Sequence, residues 1–359
     1  MILRFSQSMN LFFYFRLAKN ITFAQTINFM KHIFRLWSFV AFVMLLASCD
    51  KPTPKVVLSG AAQGSYYTIT YYDKENRDFQ SQVDSIFALI DASVSLWNDS
   101  SIITKVNHNE PVELNQVFID NFNAAIEAAE LSGGLFDPTV SPLVAMWGFS
   151  YKNNITPTQH NIDSILEFVD YHKISIVDGK VIKQDERISL DFNAIAQGYT
   201  SDAIAHFLDA QGVENYLVDV GGEIMARGHK PDGSKWVVGI EKPADSFDSE
   251  QIVQTRMELT NMSLVTSGSY RKYVEREGKR YSHTIDPRTG TSVQHNLLSA
   301  TVLAENATRA DALASICMIM GMEKSLELIN SLDGVEAFYI YVDDNEQIQT
   351  YATEGFKTF

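Results

Sequence analysis

The sequence predicts a fold that mixes paired β-strands with amphipathic helices. Near the start, Val56–Tyr72 is typical of a strand pair, with Gln63-Gly64-Ser65 at the bend. Phe79–Val94 carries an apolar stripe at helical spacing. Asp178-Gly179 is a strong hairpin signal because its flanks, Ile174–Val177 and Val181–Ile182, are apolar and β-branched.

Later segments show the same strand-like and helix-like patterns of apolar residues. The further predicted strands are Ile188–Phe192, Tyr216–Val220, Glu223–Ala226, Trp236–Ile240, Ile252–Leu259, Ser263–Thr266, Arg271–Glu277, Lys279–Thr284, Leu298–Leu303, Val335–Val342 and Gln347–Ala352. The further predicted helices are Gln116–Leu131, Thr158–Val169, a helix from about Ala196, Ala307–Met320 and Glu323–Leu332.

Size and charge limit the classes of function. The chain has 359 residues, 45% of them apolar, and can bury a core in one large domain or two small ones. Its net charge of −15 argues against a nucleic-acid binder, because phosphate contacts need clustered Lys and Arg. Cys317 lies in an apolar helical run and is predicted to be a small core residue.

The N-terminal region has the order of an export signal. Within residues 30–48 a basic start precedes Leu36–Ala47, an apolar run too short to span a bilayer. Small residues then lead to Cys49, an arrangement similar to the lipobox of bacterial lipoproteins. We expect a lipidated Cys49, a tether over residues 49–55, and an exported protein anchored at the periplasmic face of the inner membrane. The alternative is a plain signal peptide with a chance Cys.

Residues 1–29 precede this signal, and Met30 makes a better signal start than Met1. We interpret residues 1–29 as an upstream extension or an unusually long basic region. Residues 56–359 are predicted to form the functional domain.

The stretch Ile188–Leu208 predicts a strand that feeds a helix. Free N–H groups at such a helix start, together with the helix dipole, favour an anion such as phosphate. Asp191 lies at the end of the strand, and Gly198 would allow another group to approach the backbone closely. An ordinary strand-turn-helix with a solvated Asp explains the same pattern.

Three further segments carry candidate chemistry. Gly134–Phe149 is predicted to be an ordered loop, packed either against a flat ligand or as a buried connection. His283 precedes a Pro-Gly turn and is either structural or catalytic. Asp311 and Ser315 are four residues apart on a predicted helix, so their oxygens share a face and suit Mg²⁺ or Ca²⁺. A dipole-stabilised Asp and a small packing Ser are the alternative.

Taken together, seven stretches resemble the ApbE-type flavin transferases over nearly all of Val56–Phe359. They are GGLFDPTVSPLVAMWGF, LDFNAIAQGYTSD, VDVGGEIMARG, WVVGIEKP, VTSGSYRKYV, YSHTIDPRTG and ADALASICMIMG. The resemblance implies an α+β fold of mixed, largely antiparallel sheets flanked by helices, which is ApbE-like or T-fold-like.

The resemblance also implies a Mg²⁺-dependent reaction that splits FAD at its pyrophosphate. The FMN half is joined through a phosphoester to a Thr or Ser hydroxyl of a target protein, and AMP leaves. The implied acceptors are exported or membrane flavoprotein subunits, such as those of Rnf-type and sodium-pumping NADH:quinone oxidoreductase complexes.

Residue roles follow from the same resemblance. His283 matches a His proposed as the base. The residues that match cofactor-binding positions are Gln63, Trp97, Leu135, Phe136, Asp137, Asp191, Gln197 and Thr284. Gln63 stands where Met is commoner, Gln197 where Lys is often found, and Thr284 where an apolar residue is usual. Asp311, Ser315 and the backbone carbonyl of Ala194 match the metal-binding positions, with Ser315 in place of Thr.

Three alternative functions stay open at this stage. The same site could serve a Mg²⁺-dependent FAD pyrophosphatase that releases FMN and AMP. A flavin-binding lipoprotein that carries or stores FAD without turnover would also fit an FAD site. A thiamine-pathway lipoprotein, an older assignment for this family, is the third alternative. No convincing internal acceptor is present, because Ser59–Ser65 lacks the expected central hydroxyl.

Overall fold

The computed structural model describes residues 52–149, 157–243, 252–269, 273–276 and 279–359, together with residues 28, 30, 34 and 35. The chain divides into two units, Met1–Pro52 and Thr53–Phe359, and the second holds the strands of the described part. The lipidation site Cys49 and nearly all of the predicted signal peptide and upstream extension lie outside the described residues. No helix in the described part is both long enough and apolar enough to cross a membrane.

The strands of the described residues are β1 Lys55–Ala62, β2 Ser65–Tyr72, β3 Ile174–Val177, β4 Lys180–Lys183, β5 Tyr216–Val220, β6 Glu223–Arg227, β7 Trp236–Glu241, β8 Val253–Leu259, β9 Met262–Gly268, β10 Tyr273–Arg276, β11 Lys279–Ser282, β12 Ile285–Asp286, β13 Thr291–Ser292, β14 Leu297–Ala304, β15 Glu336–Val342 and β16 Ile348–Ala352. Eight of them form one sheet in the order β1-β2-β5-β6-β9-β14-β15-β16, and every neighbouring pair is antiparallel. The other strands form four two-stranded hairpins.

The helices of the described residues are α1 Gln80–Val94, α2 Ile102–Asn107, α3 Gln116–Leu131, α4 Ser141–Trp147, α5 Gln159–Leu166, α6 Ala196–Ala210, α7 Ala307–Met320 and α8 Met322–Asn330, with a 3₁₀ turn at Tyr171–Lys173. The predicted α+β fold of largely antiparallel sheets flanked by helices is confirmed.

The large sheet is covered on both faces by apolar side chains. On one face, alternate residues of β2 and β5 pack with α1 and α6, and α7 packs on β9 and β14. On the other face, residues of β6, β9 and β15 pack against the β7–β8 hairpin around buried Trp236. Cys317 is buried in α7, as predicted. Burial on both faces fixes the register of the strands, because a slip of one residue would expose the core side chains.

Two sequence predictions differ from the structure. Ile188–Phe192 forms no regular strand: its single ladder contact is a parallel bridge between Ser189 and Val140. The alternation is nevertheless real, since Ile188, Leu190 and Phe192 are all buried. The Asn107 side chain donates to the carbonyl of Leu190 and accepts its N–H, which holds this backbone in place. The segment predicted as a loop over Gly134–Phe149 contains α4, which starts with Pro142 in its first turn.

Helices α6 and α7 approach each other closely at Gly198. A Cβ at this position would lie 2.4 Å from the carbonyl oxygen of Ala307 and 2.9 Å from Cβ of Asp311. Neither neighbour is the mobile end of a side chain, so the two helices can pack at this distance only when residue 198 has no side chain.

Because of this contact, the direction in which Gly198→Ala changes the free energy of unfolding tests the packing of α6 on α7. Gly→Ala inside a helix usually stabilises a protein by about 0.5–1 kcal/mol. We expect Gly198→Ala instead to lower the free energy of unfolding by about 1–3 kcal/mol, as overpacking does. Urea unfolding followed by circular dichroism measures the change, and a more stable variant would contradict the close contact.

Candidate active site

Two tight turns lie at one end of the large sheet and form part of the candidate site. Gln63-Gly64 joins β1 to β2, and Gly221-Gly222 joins β5 to β6; all four residues have positive φ. Because β2 and β5 are antiparallel neighbours, the turns lie side by side. Gln63 Nε2 donates to Thr200 Oγ1 at 2.7 Å, which attaches the first turn to α6.

The second turn lies against the start of the same helix. A Cβ on Gly221 would be 2.5 Å from Gln197 Nε2 and 3.1 Å from both Glu223 Oε2 and Ser65 Oγ. These three side chains therefore surround the glycine turn. Gln197 carries no charge, so this part of the site holds a carboxylate and neutral polar groups.

Asp311 reaches the start of α6 from α7. Its Oδ2 accepts the backbone N–H of Gly198 at 3.1 Å, and the side chain is only 5% exposed. The N–H of Ala196 donates to the carbonyl of Phe192, so two of the amides expected to bind an anion have partners within the protein. Among the described residues, the Gln197 N–H is the first-turn amide that stays available to a ligand.

The surroundings of Asp311 are acidic. Burial, together with the charges of Glu223 and Asp202, raises the pKa of the Asp311 carboxyl well above its usual range. Its Oδ1 accepts no hydrogen bond from the described residues. A buried carboxylate with a second carboxylate nearby and one available oxygen is suited to a bound cation.

Ser315 lies one helical turn beyond Asp311 on α7. Its hydroxyl is 3.4 Å from the hydroxyl of Ser267 on β9, so β9 and α7 bring two hydroxyls to the site. Ala194 lies two residues before the start of α6, where it packs on the edge of the core. No group of three or more His, Cys, Asp or Glu side chains is arranged for metal binding in the described part. A cation here would therefore need hydroxyl or carbonyl oxygens as well.

The side chains of the loop Leu135–Asp137 point into the protein. Leu135 and Phe136 are 6% and 4% exposed. The Asp137 carboxylate accepts the N–H and hydroxyl of Thr139 at 2.7 and 2.6 Å and the N–H of Tyr171 at 3.0 Å. This geometry matches the interpretation of the loop as a buried connection, so a ligand would meet mainly its backbone.

Asp191 is bound to that loop through its backbone. Its N–H donates to the carbonyl of Pro138 at 2.8 Å, and its carboxylate accepts the N–H of Asn193 at 2.8 Å. Desolvation by burial raises the pKa of the Asp191 carboxyl. Two segments about 50 residues apart in the sequence are thus joined shortly before the start of α6.

His283 and Thr284 follow β11 in a segment held by α4. Trp147 donates its indole N–H to the carbonyl of Gly290 at 2.8 Å, and its ring lies 5.0 Å from that of Tyr281. The His283 ring packs edge-on against Phe149, with 6.1 Å between centroids. Trp97, in the turn after α1, is 63% exposed.

Three residues of the site had no predicted role: Asp202, Glu223 and Ser267. All three lie within stretches quoted for the family resemblance, and Glu223 directly follows a Gly-Gly turn. A carboxylate immediately after such a turn is the signal that could have identified it.

The fold and the site define an α+β protein with an oxygen-rich, acidic cluster of side chains at one end of an antiparallel sheet. The sequence profile of the ApbE family matches residues 63–339. The FAD:protein FMN transferase of Vibrio cholerae is 32% identical over 329 residues, which cover 89% of this chain and 97% of that protein. The chain belongs to the ApbE family.

Solved structures agree with the sequence match. The flavin transferase ApbE from Vibrio cholerae superposes with a TM-score of 0.75 at 30% identity, covering 85% of this chain and 99% of that one. The apo form of the flavinyl transferase ApbE from Pseudomonas stutzeri gives a TM-score of 0.76 at 31% identity, covering 85% and 96%.

The electrostatics of Asp311 predict a pH dependence of stability. Its carboxyl pKa is higher in the folded than in the unfolded chain, so the folded state binds the proton more tightly. Stability is therefore lost as the pH rises from about 4 through the folded-state pKa. Without divalent cations, Asp311→Asn should be more stable than the wild type at neutral pH, with the gain vanishing near pH 4. Thermal unfolding in chelator from pH 4 to 8 measures the difference; a pH-independent difference would contradict the assignment.

Proposed function

We propose that the protein transfers the FMN half of FAD to a Thr or Ser hydroxyl of an exported or membrane redox protein. The acceptor oxygen forms a bond to the FMN phosphorus, the bond from that phosphorus to the AMP phosphate breaks, and AMP leaves. The observation that carries this proposal is the match to an FAD:protein FMN transferase along 97% of that relative's length. The acidic site at the sheet end supports it.

The residues of the site fit a Mg²⁺ ion. The available Oδ1 of buried Asp311 and the Ser315 hydroxyl on the same helix face are hard oxygen donors, and the Ala194 carbonyl precedes α6. These three groups would hold the ion, while Glu223 adds negative charge nearby. A bound Mg²⁺ would neutralise charge on the pyrophosphate as AMP separates.

The protein's own residues would orient the flavin, with the loop Leu135–Asp137 contributing mainly backbone groups, and one side chain would accept the proton. We assign flavin and nucleotide contacts to the predicted cofactor-binding residues, namely Gln63, Trp97, Leu135, Phe136, Asp137, Asp191, Gln197 and Thr284. His283 acts as the base that takes the proton of the acceptor hydroxyl, which is a weak nucleophile without one. Since Gln197 is neutral, its side-chain amide and its backbone N–H contact the phosphates by hydrogen bonding alone.

The acceptor and the location follow from the sequence interpretation. An exported enzyme anchored through Cys49 would meet redox subunits at the membrane surface, such as those of Rnf-type or sodium-pumping NADH:quinone oxidoreductase complexes. A lipid anchor would hold enzyme and acceptor on the same side of that membrane.

Flavin fluorescence on the acceptor tests the proposal directly. The purified protein is incubated with FAD, Mg²⁺ and a Thr-containing acceptor domain from an Rnf-type subunit, and the mixture is separated by denaturing electrophoresis. We expect a fluorescent acceptor band that chelator abolishes. Free FMN and AMP without a band would indicate a pyrophosphatase instead, and intact FAD across a panel of acceptors would indicate a flavin carrier.

His283 can be tested separately from FAD binding. His283→Ala should retain FAD binding and lose transfer by about 10²–10⁴-fold, the usual contribution of a general base. His229→Ala is the matched control, because His229 is exposed and follows β6 at the end opposite to Glu223. Single-turnover transfer rates and FAD fluorescence titration separate the two effects; normal transfer by His283→Ala would remove this residue from the mechanism.

The metal assignment predicts a change in Mg²⁺ requirement. Asp311→Ala should shift the Mg²⁺ activation curve to higher concentration, because the buried carboxylate oxygen is lost. Asp333→Ala removes an exposed carboxylate in the turn after α8 and should follow the wild-type curve. The measurement is the transfer rate of each variant as a function of Mg²⁺ concentration. Coincident curves for Asp311→Ala and the wild type would refute the assigned site.

A further inference from the structure

The facing surfaces of α6 and α7 are joined by two reciprocal contacts. Gly198 and Asp202 are one turn apart on α6, and Ala307 and Asp311 are one turn apart on α7. The Asp311 carboxylate accepts the N–H of Gly198, while the Asp202 carboxylate accepts the N–H of Ala307 at 2.8 Å. Each helix thus contributes a carboxylate to the N-terminal amides of the other.

Asp202 is the more fully bonded of the two carboxylates. Besides the Ala307 N–H, it accepts the N–H and the hydroxyl of Thr308 at 2.8 and 2.6 Å, and it is 7% exposed. Three donors occupy its two oxygens, which leaves Asp202 suited to fixing α7 rather than to binding a ligand. Asp311, by contrast, keeps Oδ1 available.

The first turn of α7 has a second cap from its own chain. Asn306 accepts the N–H of Arg309 at 2.8 Å. Asn306 and Asp202 therefore both stabilise the start of α7, but only Asp202 ties that start to α6. This difference separates the general stability of α7 from its placement against α6.

We infer that Asp202 is a positioning residue for the cation site at Asp311. By holding the start of α7 on α6, it fixes where the Asp311 carboxylate lies relative to the α6 N-terminus and to Glu223. Carboxylates that orient metal ligands in this indirect way commonly affect metal affinity when they are removed. The inference rests on the proposed function, since it assumes that Asp311 binds the divalent ion.

Titration of the protein with Mn²⁺ alone tests the inference without turnover. Electron paramagnetic resonance detects binding, because the signal of the free ion is lost when Mn²⁺ binds. Asp202→Asn keeps the shape but places an NH₂ group against amide donors. We expect its dissociation constant for Mn²⁺ to rise about 10- to 100-fold. Thr308→Val, which removes one of the three donors to Asp202, should give a smaller rise. Asn306→Ala should lower the melting temperature while leaving the Mn²⁺ dissociation constant unchanged.

The outcomes distinguish the inference from the function on which it rests. No Mn²⁺ binding by the wild type, or unchanged binding by Asp311→Ala, would overturn the metal site itself. If Asp311→Ala abolishes binding but Asp202→Asn, folded by circular dichroism, binds like the wild type, the positioning role alone is refuted. An equal loss of affinity in Asn306→Ala and Asp202→Asn would also refute it, because general stability of α7 would then explain both.

Discussion

The close contact between α6 and α7 at Gly198 is the constraint on which the site depends. Because residue 198 has no side chain, the carbonyl of Ala307 can lie against its Cα, and Asp311 can accept its N–H. One turn further along α6, Asp202 accepts the N–H of Ala307 and so adds a second bond between the two helices. The two helices also cover the same face of the sheet, so the acidic cluster and part of the core are built by one packing arrangement.

This arrangement gathers negative charge in a protein that is already acidic. Asp311, Glu223 and Asp202 come from three different elements, and burial together with their mutual repulsion raises the pKa of the Asp311 carboxyl. A proton or a bound cation at Asp311 would relieve that repulsion. A pyrophosphate substrate would add further negative charge. The divalent cation proposed above would offset both sets of charges, since Gln197 is neutral and adds no positive charge at the start of α6.

Local signals were sufficient for much of the fold. The bounds of α7 and the hairpin at Asp178-Gly179 follow from helical periodicity and turn chemistry, which act within a few residues. Asp311 and Ser315 share one helix face, but a dipole-stabilised Asp and a packing Ser explain that spacing equally, and only the family resemblance implies a metal-binding role for them. The prediction of a strand at Ile188–Phe192 is wrong. Alternating apolar residues indicate which side chains are buried, but they do not show whether the backbone pairs with another strand. Here the backbone contacts the segment at Val140 through a single bridge.

Other features depend on contacts that no local pattern contains. Asp202 meets Ala307 across 105 residues, and Gly198 meets Asp311 across 113. The amides at the start of α6 were expected to bind an anion, yet Asp311 occupies one of them. Which group occupies a helix N-terminus is decided by tertiary packing, and the sequence of the helix alone cannot specify it.

The position of the cation is the most direct test of this account. Crystals of the protein grown with FAD and Mn²⁺ would show the ion as an anomalous diffraction peak. We predict a peak within direct bonding distance of Asp311 Oδ1 and the Ser315 hydroxyl, beside the phosphates of FAD. A cation held elsewhere, with Asp311 bonded only to the Gly198 N–H, would contradict the account.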